Sequence, residues 1–216
     1  MSSVARPLSA EIASRLMTRA RWSPLEIAFW IAAFATIYLF PEHHLILTEI
    51  VIWGLFALSI DLILGYAGII SLGQAAFFGF GAYVAGLLAK HGIMTEPVLA
   101  LIASGLAAAV LGFLTSFLVL RGSDLTRLMV TLGVALVLRE LANRFPQITG
   151  GADGLQGVTI DPVLGQFRFD LYGYTAYVYS LIVLFVLFAI ARRIVRSPFG
   201  LSLVAIKGNP LRSAAV

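Results

Sequence analysis

The chain contains no cysteine, which rules out disulfides, thiolate metal sites and cysteine nucleophiles together. That absence leaves the compartment open. Histidine is scarce as well: His43, His44 and His91 are the full complement of three. His43 and His44 are neighbours with no further ligand near them, so a solvated loop is expected there and a metal site is not. With no convergent nucleophile, base and metal groups, the chain offers no catalytic centre, and neither catalytic residues nor a cofactor are expected. Charge is the next shortage. Charged residues make up 12% of the chain, about half the share of an ordinary soluble domain.

What is present is apolar. The hydrophobic share is 60% and the mean hydropathy +0.95. Long apolar runs at 25–40, 45–64, 65–90, 97–120, 128–138 and 174–191 alternate with short polar ones. This pattern predicts one all-α domain, a polytopic membrane helical bundle of about six spans in the lipid bilayer. The pI near 9.7 does not point to nucleic acid. Basic residues gather at the ends of the runs, and no basic stripe carries interleaved aromatics. Placing the first residues inside leaves only Lys90, Arg139, Arg144 and Arg168 of the fifteen Lys and Arg residues outside. The expected division is a cytoplasmic tail over 1–23, a transmembrane domain over 24–191 with an external loop at 145–173, and a cytoplasmic segment over 192–216. The triplet Ala33-Phe34-Ala35 has the form of a signal cleavage site, but it lies inside an apolar run, so cleavage is not expected.

The run at 65–90 is the richest in information. Its six glycines would weaken a helix unless close packing needs them. Small residues four apart let membrane helices approach closely, which marks Gly79, Gly81, Ala85 and Gly86 as packing positions. Gly105 with Ala109, and Ala108 with Gly112, offer matching faces in the next run. Gly65 and Gly68 permit a broken or re-entrant helix. Ser71 and Gln74 are three apart, hence on one face of a continuous helix, where they either bond a neighbouring helix or line a pathway. Asp61, near the end of the preceding run, reads as an interfacial or packing residue rather than a proton carrier.

The run at 128–138 spans about 16 Å as a helix, against about 30 Å of hydrocarbon. To cross, it must carry Arg139 and Glu140 towards the membrane. These residues, with Thr131 inside the run, are candidate pathway residues. The alternative is snorkelling, with Glu140 paired to Arg144 four residues on. Tyr174, Tyr177 and Tyr179 open the last run as an aromatic belt. After it, Ser197-Pro198 is a helix start, Phe199, Leu203 and Ile206 share a face, Lys207 suits a helix C-terminus and Gly208 ends the element. Asn209-Pro210 then starts another helix.

Four segments together resemble one family: GYAGIISLGQAAFFGFGAYVAGLL (65–88), RGSDLTRLMVTLGVA (121–135), TGGADGLQG (149–157) and SPFGLSLVAIKGNPLRSAA (197–215). In this order they are similar to the branched-chain amino acid ABC transporter permeases, and more closely to the permease with the SPFG-type cytoplasmic loop. The resemblance runs from Asp61 to the end. It implies a subunit of an importer in the bacterial inner membrane, with both termini of this chain cytoplasmic. The implied partners are a second related permease, two cytoplasmic ATPase subunits and a periplasmic substrate-binding protein. It further implies that Pro198, Phe199, Gly200, Leu203, Ala205, Ile206 and Asn209 dock on the ATPase, with Gly200 allowing close approach. Family members usually continue with further spans, so the chain is expected to be a C-terminally truncated piece. Urea or short amides are the alternative cargo within the family. An ion-coupled secondary transporter is the alternative of another class, for which Asp61 is the one acidic candidate away from the outer edge.

Overall fold

The computed structural model describes residues 22–119 and 124–208. Apart from one isolated bridge between Val163 and Phe167, the regular structure among them is helical. Helix α1 is Pro24–Leu39. Helix α2, His44–Ile60, continues as a π-helical stretch over Asp61–Ala67. Then come α3 (Gln74–Lys90), α4 (Pro97–Val119), α5 (Asp124–Arg144), the short α6 (Pro146–Thr149), α7 (Tyr174–Val195) and α8 (Pro198–Gly208). Three stretches are long and apolar enough to cross a membrane: Pro41–Ala67, Pro97–Val119 and Tyr174–Val195. The other three members of a six-span count fall short on length or polarity. Helix α1 is apolar but has 16 residues, α3 has 17, and α5 carries Asp124, Arg127, Arg139, Glu140 and Arg144. The chain is an all-α bundle of membrane type.

The residues fall into two compact units. The first combines the described residues up to Gly54 with those from Tyr172 on. Helix α1 begins with a reciprocal cap: the Ser23 hydroxyl accepts from the Glu26 N–H at 3.1 Å, and the Glu26 carboxylate accepts from the Ser23 N–H at 3.0 Å. The same carboxylate accepts from Arg192 at 2.8 Å and Arg196 at 3.5 Å, and the Arg192 guanidinium lies 4.3 Å above the Trp22 ring. This clasp ties the start of α1 to the end of α7. Between the two helices and α2 lies a core of Trp30, Val51, Tyr177 and Leu181, with Phe185 edge-on to Trp30 at 4.9 Å.

Two expectations are corrected in this core. Tyr177 does not join an aromatic belt; it is 2% exposed, and its hydroxyl shares a hydrogen bond with Thr36. His44 is no solvated loop residue. It opens α2 at 3% exposure, its ring stacks on Tyr177 with centroids 5.6 Å apart, and Nε2 meets the Ile37 carbonyl at 3.2 Å. Because a carbonyl only accepts, Nε2 carries the proton. Its burial was hidden because Glu42 and His43 directly before it read as a polar loop.

The second unit is Leu55–Leu171. Its central seam joins α3 to α4. A Cβ added at Gly81 would stand 3.9 Å from both the Ala108 Cβ and the Ser104 carbonyl oxygen, so the two backbones touch where small residues meet. Gly105 and Gly112 face open space instead, so only part of the small-residue surface expected on α4 is used. The helix break is present. The π stretch ends at Gly68, whose φ of 69° lies in the left-handed region, and α3 restarts at Gln74. Beyond α5, Thr95 and Glu96 at the head of α4 anchor the loop over 159–167. The Thr95 hydroxyl donates to Asp161, and the Glu96 carboxylate accepts from the Leu99 N–H at 2.7 Å and the Leu164 N–H at 3.2 Å. These bonds, that from Leu99 first, hold the Glu96 carboxyl below its ordinary value of 4.5.

Candidate functional site

Two places concentrate the residues that the sequence singled out, one in each unit. In the Leu55–Leu171 unit, a cleft of about 510 Å³ opens between α3, α5 and α6. Its volume falls within the roughly 300–1,000 Å³ of small-molecule sites. Ala75, Ala76, Gly79 and Ala135 leave the space, and Phe80, Tyr83, Leu87 and Leu138 line it with larger apolar surface. Arg139, Asn143 and Thr149 are the polar residues other than Tyr83 at its wall. The Thr149 hydroxyl is engaged by its own turn, donating to the Ala142 and Phe145 carbonyls. That turn is forced by Gly150 at φ 82°, where a Cβ would fall 1.9 Å from the Gly154 oxygen.

Of the five expected pathway residues, only Arg139 lines this cleft. Glu140 is exposed, and no ion pair joins it to Arg144 among the described residues. Ser71 and Gln74 do not share a helix face, because Ser71 precedes the restart of α3. The Ser71 hydroxyl accepts from the Gly73 N–H at 3.2 Å, which closes the break locally. Gln74 is half-buried as the first residue of α3. Thr131, 4% exposed, holds the break against α5. Its hydroxyl accepts from the Leu72 N–H and donates to the Leu128 carbonyl, both at 3.1 Å. Its two bonds fasten the break to α5.

The packing positions divide in the same way. Gly81 lies on the α3–α4 seam, and Ala85 is half-buried one turn on. Gly86 faces Leu155, whose Cδ2 would be 2.7 Å from an added Cβ. Gly79 is different: nothing lies within 4 Å of its missing Cβ, and it opens on the cleft rather than on a helix among the described residues. Phe80, Tyr83 and Asn143 went unnoticed in the sequence. For Asn143 the signal was there, since it stands four residues after Arg139, the spacing used to pair Glu140 with Arg144.

The second place is the elbow between α7 and α8. Ser197 caps α8, its hydroxyl accepting from the Gly200 N–H at 3.4 Å and donating to the Ile194 carbonyl at 2.6 Å. A Cβ added at Gly200 would stand 2.1 Å from the Val195 carbonyl oxygen and 2.6 Å from its Cα. Among the described residues, the close approach at Gly200 is to the chain's own α7. Phe199 is 62% exposed, Pro198 and Ala205 are exposed, and Leu203 is half-buried. Phe199 and Leu203 thus differ in surroundings, although helical spacing groups them. The side chain of Ile206, the whole of Asn209 and the loop at Arg121 lie outside the described residues.

The sequence model for "Branched-chain amino acid transport system / permease component" matches residues 44–216. The chain belongs to that family. Two curated relatives, each described as the high-affinity branched-chain amino acid transport system permease protein LivM, come from Salmonella typhimurium and Escherichia coli. Each is 32% identical to this permease over 123 residues, which is 56% of this chain and 28% of the relative. The chain thus matches under a third of the length of these relatives. No solved structure matches it.

Proposed function

We propose that the chain is the membrane permease subunit of an ATP-driven importer for branched-chain or related hydrophobic amino acids. The observation that carries this reading is the elbow: a 22-residue apolar helix ends in Arg192, Arg193 and Arg196 and turns into an 11-residue helix with Phe199 exposed. Basic residues at the end of a span favour the cytoplasmic side. A short helix fixed to a span and carrying an exposed aromatic suits a groove in a soluble ATPase. In this reading two such ATPases, a second related permease and a periplasmic binding protein complete the importer in the bacterial inner membrane. The names of the relatives favour branched-chain cargo over urea or short amides, and the apolar cleft agrees. A secondary transporter is less well served, because the Asp61 carboxylate lies against Gly65 of its own π stretch.

The test is uptake of radiolabelled leucine by proteoliposomes holding the complete transporter. Uptake should need ATP, survive ionophores and fail to carry urea. Phe199→Asp should leave the membrane fold intact, because the ring is exposed, and should abolish uptake or release the ATPase. Uptake that ignores ATP and collapses with the ion gradients would overturn the proposal.

A further inference from the structure

Building on the importer reading, we infer that the cleft between α3, α5 and α6 is a binding site for the cargo itself: a zwitterionic α-amino acid with an aliphatic side chain. Arg139 receives its carboxylate, Asn143 its ammonium group, and Phe80, Tyr83 and Leu87 its side chain.

Charge is the first argument. Arg139 lines an apolar cleft, and no carboxylate of the described residues forms an ion pair with it. Arg139 is exposed, so its guanidinium is within reach of an incoming solute, and a guanidinium is a planar fork of donors that matches a carboxylate. Asn143 is the second. It lies four residues further along α5, on the same face, and its side-chain amide makes no hydrogen bond among the described residues. The amide oxygen accepts from an ammonium group, so two exposed side chains one turn apart, a donor fork and an acceptor, present the two ends of an α-amino acid with their complements. Shape is the third. The space beside Gly79 is empty, and the surrounding wall is alanine, aromatic and aliphatic. Such a wall gives a hydrocarbon side chain an apolar surface that urea, which is polar all round, has no group to bury against.

A photoactivatable leucine analogue carrying a diazirine on its side chain tests this, applied to the assembled transporter in vesicles and followed by peptide mapping. Labelling should fall on peptides covering 75–87 and 135–149. Unlabelled leucine should compete, whereas leucinol, which lacks the carboxylate, should compete at least tenfold less well. Arg139→Gln should lower labelling about tenfold or more, with partial recovery in Arg139→Lys. A Cβ at Gly79 meets no atom within 4 Å and opens on the cleft, so Gly79→Phe directs a ring into that space and should abolish labelling while assembly and melting temperature stay near wild type.

Three results would overturn the site. Labelling that falls elsewhere or not at all, while the wild-type vesicles still take up leucine with ATP, removes the site and spares the importer reading. Labelling that leucine does not displace but anionic phospholipid does makes the cleft a lipid groove. Loss of assembly in Gly79→Phe means that a helix fills the space. Failure of ATP-driven uptake in the wild type, by contrast, strikes the importer reading.

Discussion

A glycine can be required by what stands opposite its missing side chain, and Gly200 has the Val195 backbone there. The Cβ of an alanine would be forced into the Val195 carbonyl. Overpacking of this kind costs about 1–3 kcal/mol and sometimes more, and backbone cannot swing aside as a side chain can. Gly200→Ala should therefore open the elbow, seen as faster proteolysis near 196–200, and should uncouple ATP hydrolysis from uptake. Unchanged proteolysis would show that the elbow has room. Thr131 presents the converse case, in which one hydroxyl serves two backbones. Thr131→Val keeps the volume but leaves the Leu72 N–H without its acceptor. A buried donor left unpaired costs about 1–3 kcal/mol, so the melting temperature in detergent should drop, and Thr131→Ser should restore most of it. Equal melting of the valine and serine variants would exclude the fastening role.

Elements here depend on contacts beyond their own spacing. The expected helices at 25–40, 97–120 and 174–191 match α1, α4 and α7 closely, because apolar length is a local property. Helix α5 also follows from the sequence, once Arg139 and Glu140 are allowed to continue it. The face of Ser71 and Gln74 did not follow, because Gly68 and Gly73 place a break between helical phases that spacing alone reads through. Nor could spacing divide Gly79 from Gly81. Both are small, and only α4 on one side and the cleft on the other distinguish them. The loop clasp at Glu96 leads to a pH prediction. Its carboxyl titrates below 4.5 because the backbone N–H of Leu99, and then that of Leu164, bond the ionised form. A lowered folded value means that the contribution is complete above the unfolded value and lost as pH falls through the folded one. Hydrogen exchange at Leu99 and Leu164 should thus accelerate below about pH 4.5 after correction for intrinsic rates, and Glu96→Gln should blunt that change. Exchange that is flat with pH in the wild type would exclude the clasp.

At the scale of the molecule, the missing cysteines become useful. Single cysteines at 43, 153 and 207 replace exposed residues in a chain that has none of its own. Reagents that cannot cross the membrane should reach positions 43 and 153 from one side and 207 from the other. Labelling of 153 and 207 from the same side would break the six-span arrangement. The π stretch over Asp61–Ala67 has a further consequence, for the lengths that related chains are free to adopt. An i→i+5 ladder accommodates more residues per turn than an α-helix, so this stretch stores surplus sequence. Deleting one residue among 62–64 lets the ladder close as ordinary α-helix and brings Gly68 to nearly the same place. The same deletion inside Pro97–Val119 has no surplus to draw on and turns every later side chain of that helix by about 100°. Single-residue gaps should therefore survive, in folding assays and among relatives, at the π stretch and not in α4.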